Sequence, residues 1–165
     1  MLTPAASIPQ QRPAESTFDI AELSRQGQLS AKNNDYLRAK LYFDEILQIQ
    51  PKNAEALNNR CWISAILGEL AAALKDCDAA LQARPDYVDA YDSRGFVKLK
   101  SGMHRDAILD YDAALKLQGQ KASSLYGRGI AKQRTGNPSG GNTDITRAKS
   151  LDPTVADEFA SYGIR

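Results

Sequence analysis

The 165-residue chain holds only two cysteines, Cys61 and Cys77, one histidine, His104, and one tryptophan, Trp62. Two cysteines and one histidine fall short of the four ligands of a structural zinc site, and two cysteines cannot build a disulfide scaffold. No serine or cysteine has a visible base, and one histidine cannot make a metal site alone. SGG at 139–141 lies inside a periodic segment and is no phosphate loop. Paired carboxylates such as Asp76 and Asp78 are two apart, on different sides of a helix. The expectation is therefore a protein with no catalysis, no cofactor and no metal. A net charge of +1 leaves no electrostatic footprint for nucleic acid or an anionic membrane surface. No apolar run approaches the roughly 20 residues that a membrane helix needs, so no membrane insertion is expected.

What is present is a period. Residues 75–87 read KDCDAALQARPDY and residues 109–121 read LDYDAALKLQGQK, the same helical phrase 34 residues apart. Pro51, Pro85 and Pro153 fall at multiples of that interval, with Gly119 in the missing place. Gly68, Gly102 and Gly136 share it, as do Ala39, Ala73 and Ala107 with Gly141. So do Arg60, Arg94 and Arg128, and Asp76, Asp110 and Asp144. Each period holds two amphipathic helices, and a repeat of this length marks a helical solenoid. The first helices are expected at about 20–33, 54–67, 88–101 and 122–135. The second are expected at about 36–49, 70–83, 104–117 and 139–151, each with a buried i, i+3, i+4 stripe such as Ala73, Leu74, Cys77, Ala80 and Leu81. Glycine ends each first helix at little steric cost, and proline stops most of the second ones. Alanine at 73 and 107 lets two helices cross closely, and a large side chain there should cost roughly 1–3 kcal/mol. The fourth unit looks weakest, because SGGNTDIT puts two glycines and two threonines in its second helix. Val155, Phe159 and Tyr162 then share one face of a short helix that should cover the last unit.

This helix–turn–helix unit resembles the tetratricopeptide repeat (TPR). The resemblance covers about residues 20–153. Its large, small and aromatic positions match Leu23, Gly27, Ala39, Phe43 and Pro51 in the first unit. They match Leu57, Cys61, Ala73, Cys77 and Pro85 in the second, and Tyr91, Gly95, Ala107 and Tyr111 in the third. In the fourth they match Leu125, Gly129, Gly141, Ile145 and Pro153. One aromatic position of the family is filled instead by Ser30, Ser64, Lys98 and Lys132, which loosens packing or lets lysine stems reach solvent. The resemblance implies an all-α, right-handed superhelical solenoid of antiparallel helix pairs. Its units lie at about 20–53, 54–87, 88–121 and 122–153, with a cap at 154–162, in a domain spanning 18–165.

The resemblance also implies that first helices line a concave groove. The groove positions are then Ser24, Gln28 and Lys32, followed by Glu55, Asn58, Trp62 and Ile66. Asp89, Asp92, Phe96 and Lys100 come next, then Ser123, Tyr126, Ile130 and Arg134. Trp62, Phe96 and Ile130 are equivalent positions and make an apolar stripe with Tyr126 beside it. That stripe either faces a ligand or packs between neighbouring first helices. One TPR mode grips a partner's C-terminal carboxylate; the matching residues here are Ser24, Gln28, Asn59, Asp89 and Ser93, of which only Asn59 suits it. A partner with an apolar helix or segment and some basic residues fits better.

Four further expectations follow. The arginine and aspartate rows read as an ion-pair ladder within or between hairpins. Cys61 and Cys77 face each other across one hairpin and read as buried reduced thiols, with a disulfide requiring export and suitable geometry. His104 reads as a surface residue. The proline-bearing tail 1–17 reads as disordered in a cytoplasmic protein; LTPAAS also resembles the end of a leader, which would place the chain in an exported or periplasmic setting. The function expected is protein–protein interaction, with self-association through terminal repeats into a homo-oligomer as the alternative.

Overall fold

The computed structural model describes residues 19–164, so the expectation for the tail 1–17 lies outside the described residues. The helices are α1 (Ile20–Lys32), α2 (Tyr36–Ile49), α3 (Ala54–Ile66), α4 (Leu70–Ala83), α5 (Val88–Lys100), α6 (His104–Leu117), α7 (Ala122–Arg134), α8 (Pro138–Leu151) and α9 (Val155–Ser161). No strand occurs among the described residues. The architecture is an all-α solenoid of helix pairs, as the period requires. Pro138 opens α8, where the missing N–H costs nothing.

Local chemistry sets the ends. Asp19, Asp35, Asn53 and Asn137 accept hydrogen bonds from backbone N–H groups in the first turn of α1, α2, α3 and α8. Each first helix of the four pairs ends on a residue with positive φ: Asn34, Gly68, Gly102 and Gly136. The next N–H reaches back five residues, from Asp35 to Ser30, Glu69 to Ser64, Met103 to Lys98 and Asn137 to Lys132. This is a left-handed helix stop, which glycine or asparagine supplies most cheaply. It turns the chain so that the second helix runs back along the first.

The two helices of a hairpin meet at residues 16 apart. A Cβ added to Gly27 would lie 2.8 Å from the Phe43 ring, and one on Gly95 would lie 2.9 Å from the Tyr111 ring. In the fourth hairpin the same position, Gly129, faces Ile145, and a Cβ on Gly141 would stand 2.6 Å from the Gly129 carbonyl oxygen. Gly141 therefore permits a close backbone approach, beyond any loss of helix propensity. The second hairpin solves the same crossing differently: Cys61 and Cys77 occupy these two positions and form a disulfide. This corrects the expectation of reduced thiols. The two Cα atoms are 5.4 Å apart, inside the window that a bridge needs, and neither residue has exposed surface.

Hairpins then stack. α3 packs on α5 and α5 on α7, while no comparable contact joins α4 to α6 or α6 to α8. First helices crowd together and second helices splay outward, which curves the array with first helices on the inner side. Between hairpins the fit is again tight. Tyr111, fully buried, lies against Gly127 of the next unit, where an added Cβ would stand 2.3 Å from the ring.

Two outcomes test these crossings. Gly127→Ala should destabilise the fold by about 1–3 kcal/mol in denaturant unfolding, the usual cost of overpacking. With Tyr111→Leu added, the loss should be smaller than the sum of the single losses; strict additivity would mean the contact does not limit packing. Closing a loop of 16 residues is worth about 3 kcal/mol, so Cys61→Ala with Cys77→Ala should lower the unfolding midpoint and abolish its response to reductant. A wild-type midpoint identical with and without reductant would show that the thiols are unpaired.

Candidate functional site

The inner face is assembled from α3, α5 and α7, and α9 lies on it. Gly163, with φ of +84°, ends α9 and lets Ile164 tuck into the core. The Ile164 N–H bonds the Phe159 carbonyl. Val155 and Phe159 are buried, so α9 covers the last unit as expected. It also does more. Phe159 packs edge-to-face on Phe96, with ring centroids 5.8 Å apart, and tilts against Tyr126 at 4.9 Å. Tyr162 reaches two units back, meeting Trp62 at 5.7 Å and Phe96 at 5.8 Å, both nearly perpendicular. Trp62 also meets Tyr36 at 6.0 Å.

The stripe of Trp62, Phe96 and Ile130 is thus real, but it is covered in cis. Phe96, Tyr126 and Ile130 are buried, and Trp62 and Ile66 are partly so. Lys100 donates to the Tyr162 carbonyl at 3.0 Å and sits 5.6 Å from the Phe96 ring centroid. Burial pulls the Lys100 ammonium below its ordinary value and pushes the Tyr162 phenol up. Asn58 is buried, Asp89 is exposed and paired with Lys121 at 2.9 Å, and Arg134 is exposed near the end of α7. The structure therefore gathers Trp62, Phe96, Lys100 and Tyr126 beneath α9, and leaves Asp89 and Arg134 outside that cluster.

Asp92 lies at the floor. Its carboxylate accepts from Ser123 Oγ at 2.9 Å and from Ser124 Oγ, with Lys121 Nζ 4.0 Å away. Burial raises its carboxyl above the ordinary value, against the pull of Lys121 and the two serines. Beside it, between Asp92, Phe96 and α9, is a chamber of about 100 Å³. Sequence reasoning missed the part of Glu158, Phe159 and Tyr162 in this chamber. Their i, i+4 pattern marked an apolar face on a cap, but periodicity carries no sign of where a terminal helix docks. At the other end, Ser24, Gln28 and Glu55 line an open cleft of about 620 Å³.

The tetratricopeptide repeat profile matches residues 24–88. Among solved structures, a thermophilic TPR protein of Thermus thermophilus superposes with a TM-score of 0.76 at 18% identity, covering 88% of this chain and 84% of that one. MamA (41-end) from Desulfovibrio magneticus RS-1 gives 0.69 at 20% identity, covering 82% and 77%. The first TPR domain of Spaghetti (RPAP3), bound to the HSP90 peptide SRMEEVD, gives 0.66 at 22% identity, covering 70% and 92%. The chain is a tetratricopeptide repeat protein. No curated protein matches it closely enough to count as a relative.

The charged rows of this TPR chain form one connected ladder. Arg60 forks onto Asp76 with two bonds of 2.7 Å and reaches back to Asp44 of the preceding hairpin at 2.8 Å. Arg94 repeats this with Asp110 and Asp78, and Arg128 with Asp144 and Asp112. Asp76 and Asp78, two apart, serve different arginines. Lys98 and Lys132, in place of a family aromatic, join the ladder at Asp110 (2.6 Å) and Asp144 (2.8 Å). The ladder ties hairpins together and holds these side chains in place, away from the chamber. His104, expected at the surface, is half-buried; burial, and then the nearby Arg134 charge, lower its affinity for a proton.

Burial alone would raise Asp144, but the Arg128 fork and Lys132 outweigh it and hold the carboxyl below its ordinary 3.8. The folded value lies below the unfolded one. The stabilisation is therefore complete above the unfolded value and is lost as pH falls through the folded one. Asp144→Asn should lower stability by about 1.5–3 kcal/mol near neutrality and by progressively less in acid, read from unfolding midpoints across that range. A constant difference at every pH would contradict the assignment.

Proposed function

We propose that this chain is a non-catalytic protein-interaction module whose concave groove accepts an amphipathic, basic helix or peptide of a partner. One observation carries the reading: α9, a helix of the chain itself, already lies against the groove with Phe159 and Tyr162 on Trp62, Phe96 and Tyr126. The surface is thus suited to a short helix with aromatic anchors spaced along one face. Trp62, Phe96, Tyr126 and Ile130 are the anchor positions, with Asn58, Ile66, Asp89, Asp92, Lys100 and Arg134 around them. A partner enters at the open cleft by Ser24, Gln28 and Glu55 and displaces α9 to reach the stripe.

Charge selects the partner. The peptide held by the Spaghetti domain, SRMEEVD, carries three acidic residues. Here Glu55, Asp89, Asp92 and Glu158 lie along the path, and Asp89 stands where a carboxylate clamp needs a cation. A basic segment is favoured and an acidic tail is opposed. The buried disulfide goes with an oxidising setting for this interaction. Self-association is the second reading; with the apolar face of α9 turned inward, it rests on exposed Leu37 and Leu41 of α2, four residues apart.

The test is selection of peptides from a random library on the intact protein. Enriched peptides should be basic and aromatic. Phe159→Ala with Tyr162→Ala, which frees the groove, should bind them about tenfold more tightly, or about 1.4 kcal/mol. Trp62→Ala with Phe96→Ala should abolish binding. Unchanged binding by that last variant, with its helicity intact, rules out the groove.

A further inference from the structure

The chamber between α5 and α9 is closed with α9 docked, so what it holds is separate from the partner reading above. Four aromatic side chains make its walls: Trp62, Phe96, Phe159 and Tyr162. Tyr162 stands at 86° to Trp62 and 80° to Phe96, and Phe159 at 88° to Phe96. The walls meet like the sides of a box. Asp92 and Glu158 supply two carboxylates to the lining, and no lysine or arginine lines the chamber. Lys121, the cation nearest Asp92, is bonded to Asp89, and Lys100 is bonded to the Tyr162 carbonyl.

A second observation points to a missing occupant. The Tyr111 hydroxyl is fully buried, borders the chamber and has no hydrogen-bond partner among the described residues. Buried hydroxyls are normally satisfied, so something polar belongs beside it. The volume, about 100 Å³, is roughly three times the ~30 Å³ that a water takes in the liquid. It suits a compact head group rather than a drug-sized molecule.

Aromatic faces carry negative charge density and attract cations, most strongly where water is excluded. A desolvated carboxylate at the floor adds to that attraction. A divalent metal is a poor fit, because no group of three metal-ligating side chains gathers among the described residues. We propose that this chamber binds a small organic cation, an alkylated ammonium head boxed by Trp62, Phe96, Phe159 and Tyr162 and paired with the Asp92 carboxylate. The head group is the shared chemistry of a free quaternary amine and of a methylated lysine side chain on a partner. Glu158 at the exposed rim favours entry of the charge without holding it.

The experiment titrates the intact protein with choline and, in parallel, with 3,3-dimethylbutan-1-ol, its uncharged carbon isostere. Emission of Trp62, the sole tryptophan, is the readout. Choline should give a saturable change, and the isostere should bind at least about tenfold more weakly. Asp92→Asn should lose most choline affinity, and Glu158→Gln a smaller part, with far-ultraviolet circular dichroism unchanged. A trimethyllysine peptide titrated alongside separates the sources: tighter binding than choline assigns a partner side chain, and weaker binding assigns a free amine. Equal affinity for choline and the isostere, or no saturable change with choline, overturns the proposal. The isostere comparison uses wild-type protein, so a variant that fails to fold does not decide the outcome.

Discussion

Every level of this molecule depends on one crossing, repeated four times, between side chains 16 residues apart in each hairpin. Gly27 accepts the Phe43 ring, Gly95 the Tyr111 ring and Gly129 the Ile145 side chain, while Cys61 and Cys77 are covalently joined. A small residue against a large one fixes how near the two helices come. That spacing sets how a hairpin presents its outer faces to the next, and so the curvature of the stack. The same interval recurs in Arg60–Asp76, Arg94–Asp110 and Arg128–Asp144, because residues 16 apart are the ones that face each other across the turn.

Stacking converts a local rule into a continuous core. A lone hairpin leaves one face apolar, and its copy covers that face. Tyr111 shows the dependence directly: it fills the crossing with Gly95 in its own hairpin and presses on Gly127 in the following one. The ladder works similarly on the polar side, since each guanidinium spans two hairpins. These aspartates are nearly buried, so each needs its fork of donors.

The groove is a consequence of curvature, and its occupant is a consequence of the chain's end. The array has no fifth hairpin to cover its last inner surface. α9 covers that surface and continues across the aromatic stripe, so that Tyr162 rests on Trp62, 100 residues away in sequence. A single short helix thereby limits access to the stripe and closes the chamber above Asp92.

How much of this was readable beforehand follows from the range of each interaction. Helix bounds, the glycine stops and the pairing of hairpins were legible, because caps, turns and a 34-residue period are local or self-similar. The arginine and aspartate rows announced a ladder for the same reason. The state of Cys61 and Cys77 was not legible, since a bridge depends on how close two backbones come, and spacing along a chain does not report that. Nor was the cover over Trp62 and Phe96. Val155, Phe159 and Tyr162 declared an apolar face, but a terminal helix has no copy of itself to say what that face meets. The sequence by itself determined a solenoid of TPR hairpins, because repetition writes the same contacts many times. Only the tertiary structure decided what lies in the groove, because that contact is made once, between residues far apart in the chain.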